Sequence, residues 1–122
     1  MILVDTSVWI DHLRSGDSEL AIALDAREVL THPFVIGELA CGNLSRREAI
    51  LGLLRALPAA QMATEDEVLD FIERRNLMGR GIGYVDVHLL ASITLTAGVK
   101  LWTRDKRLGA IASDLARQQA SR

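Results

Sequence analysis

At 122 residues, 49% apolar and 25% charged, the chain has the length and balance of one globular domain with a real core. No apolar run approaches the roughly 18–20 residues a membrane span requires. A net charge of −2 and a pI near 5.9 argue against a domain that binds nucleic acid by overall basicity, so any such contact must come from local basic patches and bound metal. The single cysteine, Cys41, forbids an internal disulfide. The sequence opens straight into a strand with no room for a signal segment, so a reducing cytoplasm is the expected location.

The elements read as follows in chain order. Ile2, Leu3 and Val4 form a continuous apolar run, the pattern of a strand covered on both faces. Thr6 and Ser7 offer cap hydroxyls to a helix carrying Val8, Trp9, Ile10 and Leu13, which ends near Ser15-Gly16. Ser18 opens a second helix with Leu20, Ile22, Ala23 and Leu24 inward, and residues 29–31 form a candidate strand. Pro33 suits the first turn of a helix that carries Phe34, Ile36, Leu39 and Ala40 to Gly42-Asn43. Ser45-x-x-Glu48 and Thr64-x-x-Glu67 both match the capping box. The first precedes Ile50, Leu53, Leu54 and Leu57, with Pro58 as the stop; the second precedes Val68, Leu69, Phe71, Ile72 and Leu77. Gly79, Gly81 and Gly83 lead into a helix over residues 84–97, ended by Gly98, and residues 99–103 form another strand. Asp105 begins a last helix through Leu108, Ile111 and Leu115; residues 116–122 carry no convincing final strand and are expected to fray. Strands alternating with helices imply a single α/β domain over residues 1–122, a three-layer α/β/α sandwich with a small parallel sheet and predominant helix.

Four acids fall at or near the ends of these elements. Asp5 follows the first strand, Asp105 lies just past the last, Glu38 sits on the helix after Pro33, and Asp86 lies in the first turn of the helix after Gly83. Parallel strands present their C-terminal ends on one edge, where α/β folds keep their chemistry. Mg²⁺ and Mn²⁺ prefer hard oxygen ligands, and Mg²⁺ binds through one or two carboxylates while keeping several waters. Without a cation, four converging carboxylates would repel one another and push some pKa values upward. An aspartate at a helix N-terminus is favoured electrostatically whatever its function, so Asp5, Asp86 or Asp105 taken singly has an ordinary explanation. The combination, and Glu38 among Val35, Ile36, Leu39 and Ala40, carries the argument.

The opening Leu3-Val4-Asp5-Thr6-Ser7-Val8-Trp9-Ile10 resembles the start of PIN-domain nucleases. So do Val35-Ile36-Gly37-Glu38-Leu39, Tyr84-Val85-Asp86-Val87-His88-Leu89-Leu90-Ala91 and Leu101-Trp102-Thr103-Arg104-Asp105. Motif order and length are similar to the VapC-type toxins of bacterial toxin–antitoxin pairs, over about residues 1–110. The resemblance implies a PIN-like fold and a Mg²⁺-dependent endoribonuclease, with Mn²⁺ as the alternative ion. Asp5 and Asp86 would be the main metal ligands, and Glu38 and Asp105 would complete the shell or hold water. Thr103 would brace the site by bonding a carboxylate or a water on the metal. It further implies RNA (transfer, ribosomal or messenger) as substrate, a small VapB-type antitoxin as partner, and a homodimer. The family often ends in a further strand, which this sequence does not display.

Other features carry less. Arg74, Arg75 and Arg80 ahead of the glycine loop, and Arg104, Lys106 and Arg107 around Asp105, are candidates for phosphate contact or ordinary surface. Gly79-x-Gly81-x-Gly83 lacks the spacing of a dinucleotide fingerprint. His12 and His32 show no ligand spacing, His88 reads as structural or surface, Cys41 as a small buried residue, and Trp9 and Trp102 as core. Surplus aliphatics in the two capping-box helices suit a dimer contact or a groove for an antitoxin segment. Two other classes compete with the enzyme: a PIN-like module that binds RNA or protein without cutting, and, further off, a phosphoaspartyl protein using Asp5.

Overall fold

Strand β1 (Ile2–Val4) is the centre of the molecule, in a computed structural model that describes residues 1–120. It pairs in parallel with β2 (Val29–Leu30) on one side, Ile2 opposite Val29, and with β3 (Lys100–Trp102) on the other, Val4 opposite Trp102. The sheet order is therefore β2-β1-β3. Leu3 and Val4 point to opposite faces of the strand, yet both are fully buried, so both faces of the sheet are covered. Beyond β2, the Thr31 N–H donates to the Pro58 carbonyl (2.9 Å) and the Ala60 N–H to the Thr31 carbonyl (2.7 Å), a parallel bridge that lengthens this edge.

The cover is helical: α1 (Thr6–Ser15), α2 (Ser18–Asp25), α3 (Pro33–Ala40), α4 (Arg47–Ala56), α5 (Glu65–Arg75), α6 (Tyr84–Leu95) and α7 (Lys106–Ala120). None of the described helices is long and apolar enough to cross a membrane. Helix α6 is the buried one: every residue from Val87 to Ile93 is inside, as expected of a helix without a polar face. The parallel sheet under helices is the α/β, PIN-like architecture expected from the alternation of elements.

Local chemistry accounts for most helix ends. Asp17 caps α2 through the Leu20 N–H (3.0 Å), and Thr64 and Glu67 close a full capping box on α5. Ser45-Glu48 does not close one. Helix α4 starts only at Arg47, after Arg46 in the left-handed region (φ 54°), so Ser45 lies outside the cap position and its hydroxyl cannot meet the third helical N–H. Cys41 is exposed rather than buried: it stands about 200° around α3 from the inward Leu39. The same geometry turns Ile22 out, at 69% exposure, while Leu20 and Ala23 go in. Leu53 (66%) and Leu69 (57%) also face solvent. Helix α7 continues to Ala120, so residues 116–120 are helical where fraying is expected; positions 121 and 122 lie outside the described residues. No strand follows β3 among the described residues.

Two histidines are deep inside. His32 caps α3, its Nδ1 accepting from the Phe34 N–H (3.0 Å), which places its own proton on Nε2. His88 packs edge-on against Phe34 (4.6 Å between ring centres) and Tyr84 (4.7 Å), with His32 at 6.4 Å. His32 Nε2 and both His88 nitrogens find no hydrogen-bond partner among the described residues. Burial, then the neighbouring His88, lowers the His32 pKa to about 4, and burial lowers that of His88, so both rings are neutral at neutral pH.

Candidate active site: braced carboxylates at one sheet edge

Because β1 and β3 are adjacent and parallel, the residues that follow them emerge side by side. The Asp5 N–H still donates to the Trp102 carbonyl (2.9 Å), and one step on, the Thr103 hydroxyl donates to Asp5 Oδ2 (2.7 Å). Ser7 Oγ donates to the same oxygen (2.9 Å), and the Thr6 N–H to Oδ1 (2.7 Å). Asp5 is thus the N-cap of α1 and, at 7% exposure, a buried charge stabilised by three donors.

The other acids are tied to this centre. Thr103 Oγ1 accepts from the Asp105 N–H (3.1 Å), and Asp105 Oδ1 caps α7 through the N–H groups of Arg107 (2.9 Å) and Leu108 (3.1 Å). Thr6 Oγ1 donates to Glu38 Oε1 (2.7 Å), linking α3 to the Asp5 turn; Glu38 itself is exposed. Asp86 Oδ2 accepts from the Gly83 N–H (3.1 Å) at the start of α6. Burial raises the Asp86 pKa most, and the charges of Asp5 and Asp105 raise it further against the opposing Gly83 N–H. The structure therefore brings all of the sequence-predicted residues, Asp5, Glu38, Asp86, Thr103 and Asp105, to one edge.

The carboxylates form a loose ring: no three acidic, histidine or cysteine side chains among the described residues converge closely enough to make a ready cage for a metal ion. The donor set nonetheless fits a hard divalent cation. Glu38 Oε2, Asp86 Oδ1 and Asp105 Oδ2 accept no hydrogen bond among the described residues, although the sister oxygen of each is anchored. None of the four acids joins an ion pair among the described residues. Three anchored carboxylates with a spare oxygen, beside an Asp5 whose two oxygens both accept hydrogen bonds, suit an ion that takes few direct protein ligands and keeps its waters.

Ser7 is a site residue that a cap-only reading of the opening hydroxyls misses. Its Oγ both donates to Asp5 and accepts the Arg104 N–H (3.0 Å), pinning the turn that carries Thr103 and Asp105. Arg104, a candidate phosphate contact by sequence, is engaged elsewhere. Its Nε meets Asp11 (2.7 Å), its Nη2 meets Asp17 (2.6 Å), and its guanidinium lies 6.0 Å over the Trp102 ring. Those two carboxylates raise the Arg104 pKa, while the Leu20 N–H and then Arg104 lower that of Asp17. Beside Glu38, a groove of about 540 Å³ runs between α1 and the α3–α4 connection, lined by Ile10, Leu13, Leu39, Leu44 and Ile50.

A parallel sheet whose C-terminal edge gathers hydroxyl-braced, unpaired carboxylates defines an acidic-site α/β domain. The PIN domain family matches residues 2–114, and the chain belongs to that family. Within it, the chain is 51% identical over 114 residues to Ribonuclease VapC32 of Mycobacterium tuberculosis, in both strain CDC 1551 / Oshkosh and strain ATCC 25618 / H37Rv. Those matches cover 93% of this chain and 92% of each relative. The resemblance expected from the four motifs is thereby established.

Proposed function

We propose that this protein is a VapC-type toxin, a metal-dependent endoribonuclease that hydrolyses RNA phosphodiester bonds and is neutralised by a cognate VapB-type antitoxin. The observation that carries the reading is the braced ring itself: Asp5 fixed by Thr6, Ser7 and Thr103, with Asp86 held near enough to feel both Asp5 and Asp105. Relatives named as ribonucleases, matching along almost the whole chain, support it.

In this reading Mg²⁺, with Mn²⁺ as the alternative, would be held by Asp5 and Asp86, with Glu38 and Asp105 completing its surroundings. When bound, the ion supplies positive charge against the phosphate and acidifies water at neutral pH. The chain's residues do the rest. Thr103 and Ser7 hold the Asp5 carboxylate in one orientation, as the donors around a metal ligand do. Asp105 or Glu38, each with an open oxygen on the exposed side of the ring, orients the attacking water and receives its proton. In-line attack leaves a 5′-phosphate and a 3′-hydroxyl. The apolar groove beside Glu38 is the place for an antitoxin segment, and the exposed Leu53 and Leu69 suit a homodimer or partner contact. Such a toxin acts in the cytoplasm.

The deciding experiment incubates antitoxin-free protein with total cellular RNA, with and without Mg²⁺ or Mn²⁺, and maps every new end beside the Asp5→Asn variant. Discrete metal-dependent cuts lost in the variant are expected. An Asp5→Asn protein as active as the parent sinks the site assignment, and an inert parent that is folded and free of antitoxin sinks the ribonuclease.

A further inference from the structure

The acidic edge would repel RNA, so the positive charge that retains a strand must sit elsewhere on its path. A notch of about 200 Å³ lies between the end of α5, the glycine loop and the middle of α7, lined by Arg74, Arg75, Arg80, Asp114 and Gln118 among others. Not all of its charges are equally available. Arg74 is paired with Asp70 (2.7 Å), and Asp114 is engaged by Arg117. Arg75, half-buried, is held by a neutral partner: its Nη1 donates to Gln118 Oε1 (2.6 Å). Its orientation is fixed while its charge is uncompensated. Arg80 has no ion pair among the described residues.

Helix α7 joins the notch to the carboxylate ring, since Asp105 caps its start and Ile111, Asp114, Leu115 and Gln118 line the notch. Arg107, Ile111, Asp114 and Gln118 recur at helical spacing along one face of α7, the helix that Asp105 caps. Nine residues of helix place Asp114 about 14 Å from Asp105. Between them sits Arg107, packed beneath the glycine loop. A Cβ on Gly81 would lie 2.5 Å from Arg107 Nη1, so the loop runs close against that guanidinium, and the φ of +79° at Gly81 favours glycine there. Arg107 likewise has no ion pair among the described residues. Three guanidiniums without an ion pair among the described residues therefore come from three neighbouring segments: Arg107 from the first turn of α7, Arg80 from the glycine loop and Arg75 from the end of α5.

We propose that the notch of Arg75, Arg80 and the adjoining Arg107 is a second phosphate subsite, which grips the backbone of single-stranded RNA outside the scissile linkage. This rests on the ribonuclease reading and adds to it the direction the strand takes. The guanidinium fork suits phosphate oxygens, and Gln118 pre-orients one fork before the strand arrives.

The test measures binding of a fluorescein-labelled single-stranded RNA by the cleavage-dead Asp5→Asn protein across a KCl series, with and without Arg75→Gln/Arg80→Gln. Losing two phosphate contacts reduces the slope of log K against log[salt] by about 1.4. The charge-matched control Arg27→Gln/Arg55→Gln leaves the slope unchanged, and Arg75→Lys/Arg80→Lys retains most of it. A slope that the glutamine pair does not change, or changes no more than the control does, overturns the subsite. Cleavage of total RNA by the otherwise unaltered enzyme separates the two readings. Metal-dependent cutting with an unchanged slope removes the notch alone, whereas a folded, antitoxin-free enzyme that cuts nothing removes both.

Discussion

The molecule contains two nests of titratable side chains that are governed by opposite logic. At the sheet edge, carboxylates stand near one another, and Asp86 is pushed above its ordinary pKa by burial and by Asp5 and Asp105. Under α3 and α6, His32 and His88 are pushed below theirs and stay neutral. Burial disfavours charge in both places. The difference lies in what accompanies it. Asp5 receives three donors, while His88 is ringed by Tyr84, Phe34 and His32 and receives none. One nest is a set of carboxylates oriented by donors; the other is core that happens to contain nitrogen.

The largest expected effects come from changes in the acidic nest. Asp5→Asn is expected to lower metal-dependent cleavage about a thousandfold with the fold retained, read by initial rates and circular dichroism. Thr103→Val removes the brace on Asp5 together with the acceptor of the Asp105 N–H, and is expected to cost about 10- to 100-fold, chiefly in metal affinity, read by titrating Mg²⁺ in the cleavage assay. An unchanged metal requirement would show that the brace is dispensable.

Acid distinguishes the nests by sign. The folded pKa of His32, about 4, lies below the ordinary histidine value of 6.5, so the unfolded chain binds the extra proton. Stability is unaffected above about pH 6.5 and falls by something on the order of 3 kcal/mol as pH drops toward 4. Asp86 runs the other way. Its folded pKa is raised, so it favours the folded state as pH falls and loses that contribution as pH rises through the raised value. Urea midpoints from pH 7 to pH 4 should fall for the parent and fall less for His32→Asn, in which a cap-forming side chain remains. Equal slopes for the two proteins would move the acid sensitivity away from His32.

The smallest effect is also the most diagnostic. Asparagine caps a helix about as well as aspartate, so Asp105→Asn keeps the start of α7 while removing one charge that bears on Asp86. Metal-free protein is expected to gain about 0.5 kcal/mol, by thermal unfolding in chelator, and to gain less from added Mg²⁺ than the parent does. A variant destabilised without metal would mean that the ring is not under repulsion.

The sequence made the architecture legible because β1 is an unbroken apolar run and Asp5, Asp86 and Asp105 stand at the starts of helices, with Glu38 inside α3. Asp5, Thr103 and Asp105 needed only the inference that two parallel strands end together. What failed, failed for rotational reasons: Ile22, Cys41 and Leu53 are apolar residues one or two positions off the inward stripe, and composition alone does not say which way they face. The Ser45 capping box failed because α4 starts one residue later than the motif implies, with Arg46 at the cap position. The clamp of Arg104 on Asp11 and Asp17, and the meeting of His32 with His88, join residues far apart in sequence and left no periodic trace.

The order of the strands has a consequence for synthesis. The first strand made is the central one, and it acquires β3 only after nearly the whole chain exists; the hydroxyl that braces Asp5 arrives 98 residues later. A nascent chain with its first half emerged already carries Asp5 and Glu38, yet has neither the neighbouring strand nor the brace. Translation at roughly 5–20 residues per second leaves an interval of several seconds in which Asp5 exists without its Thr103 brace.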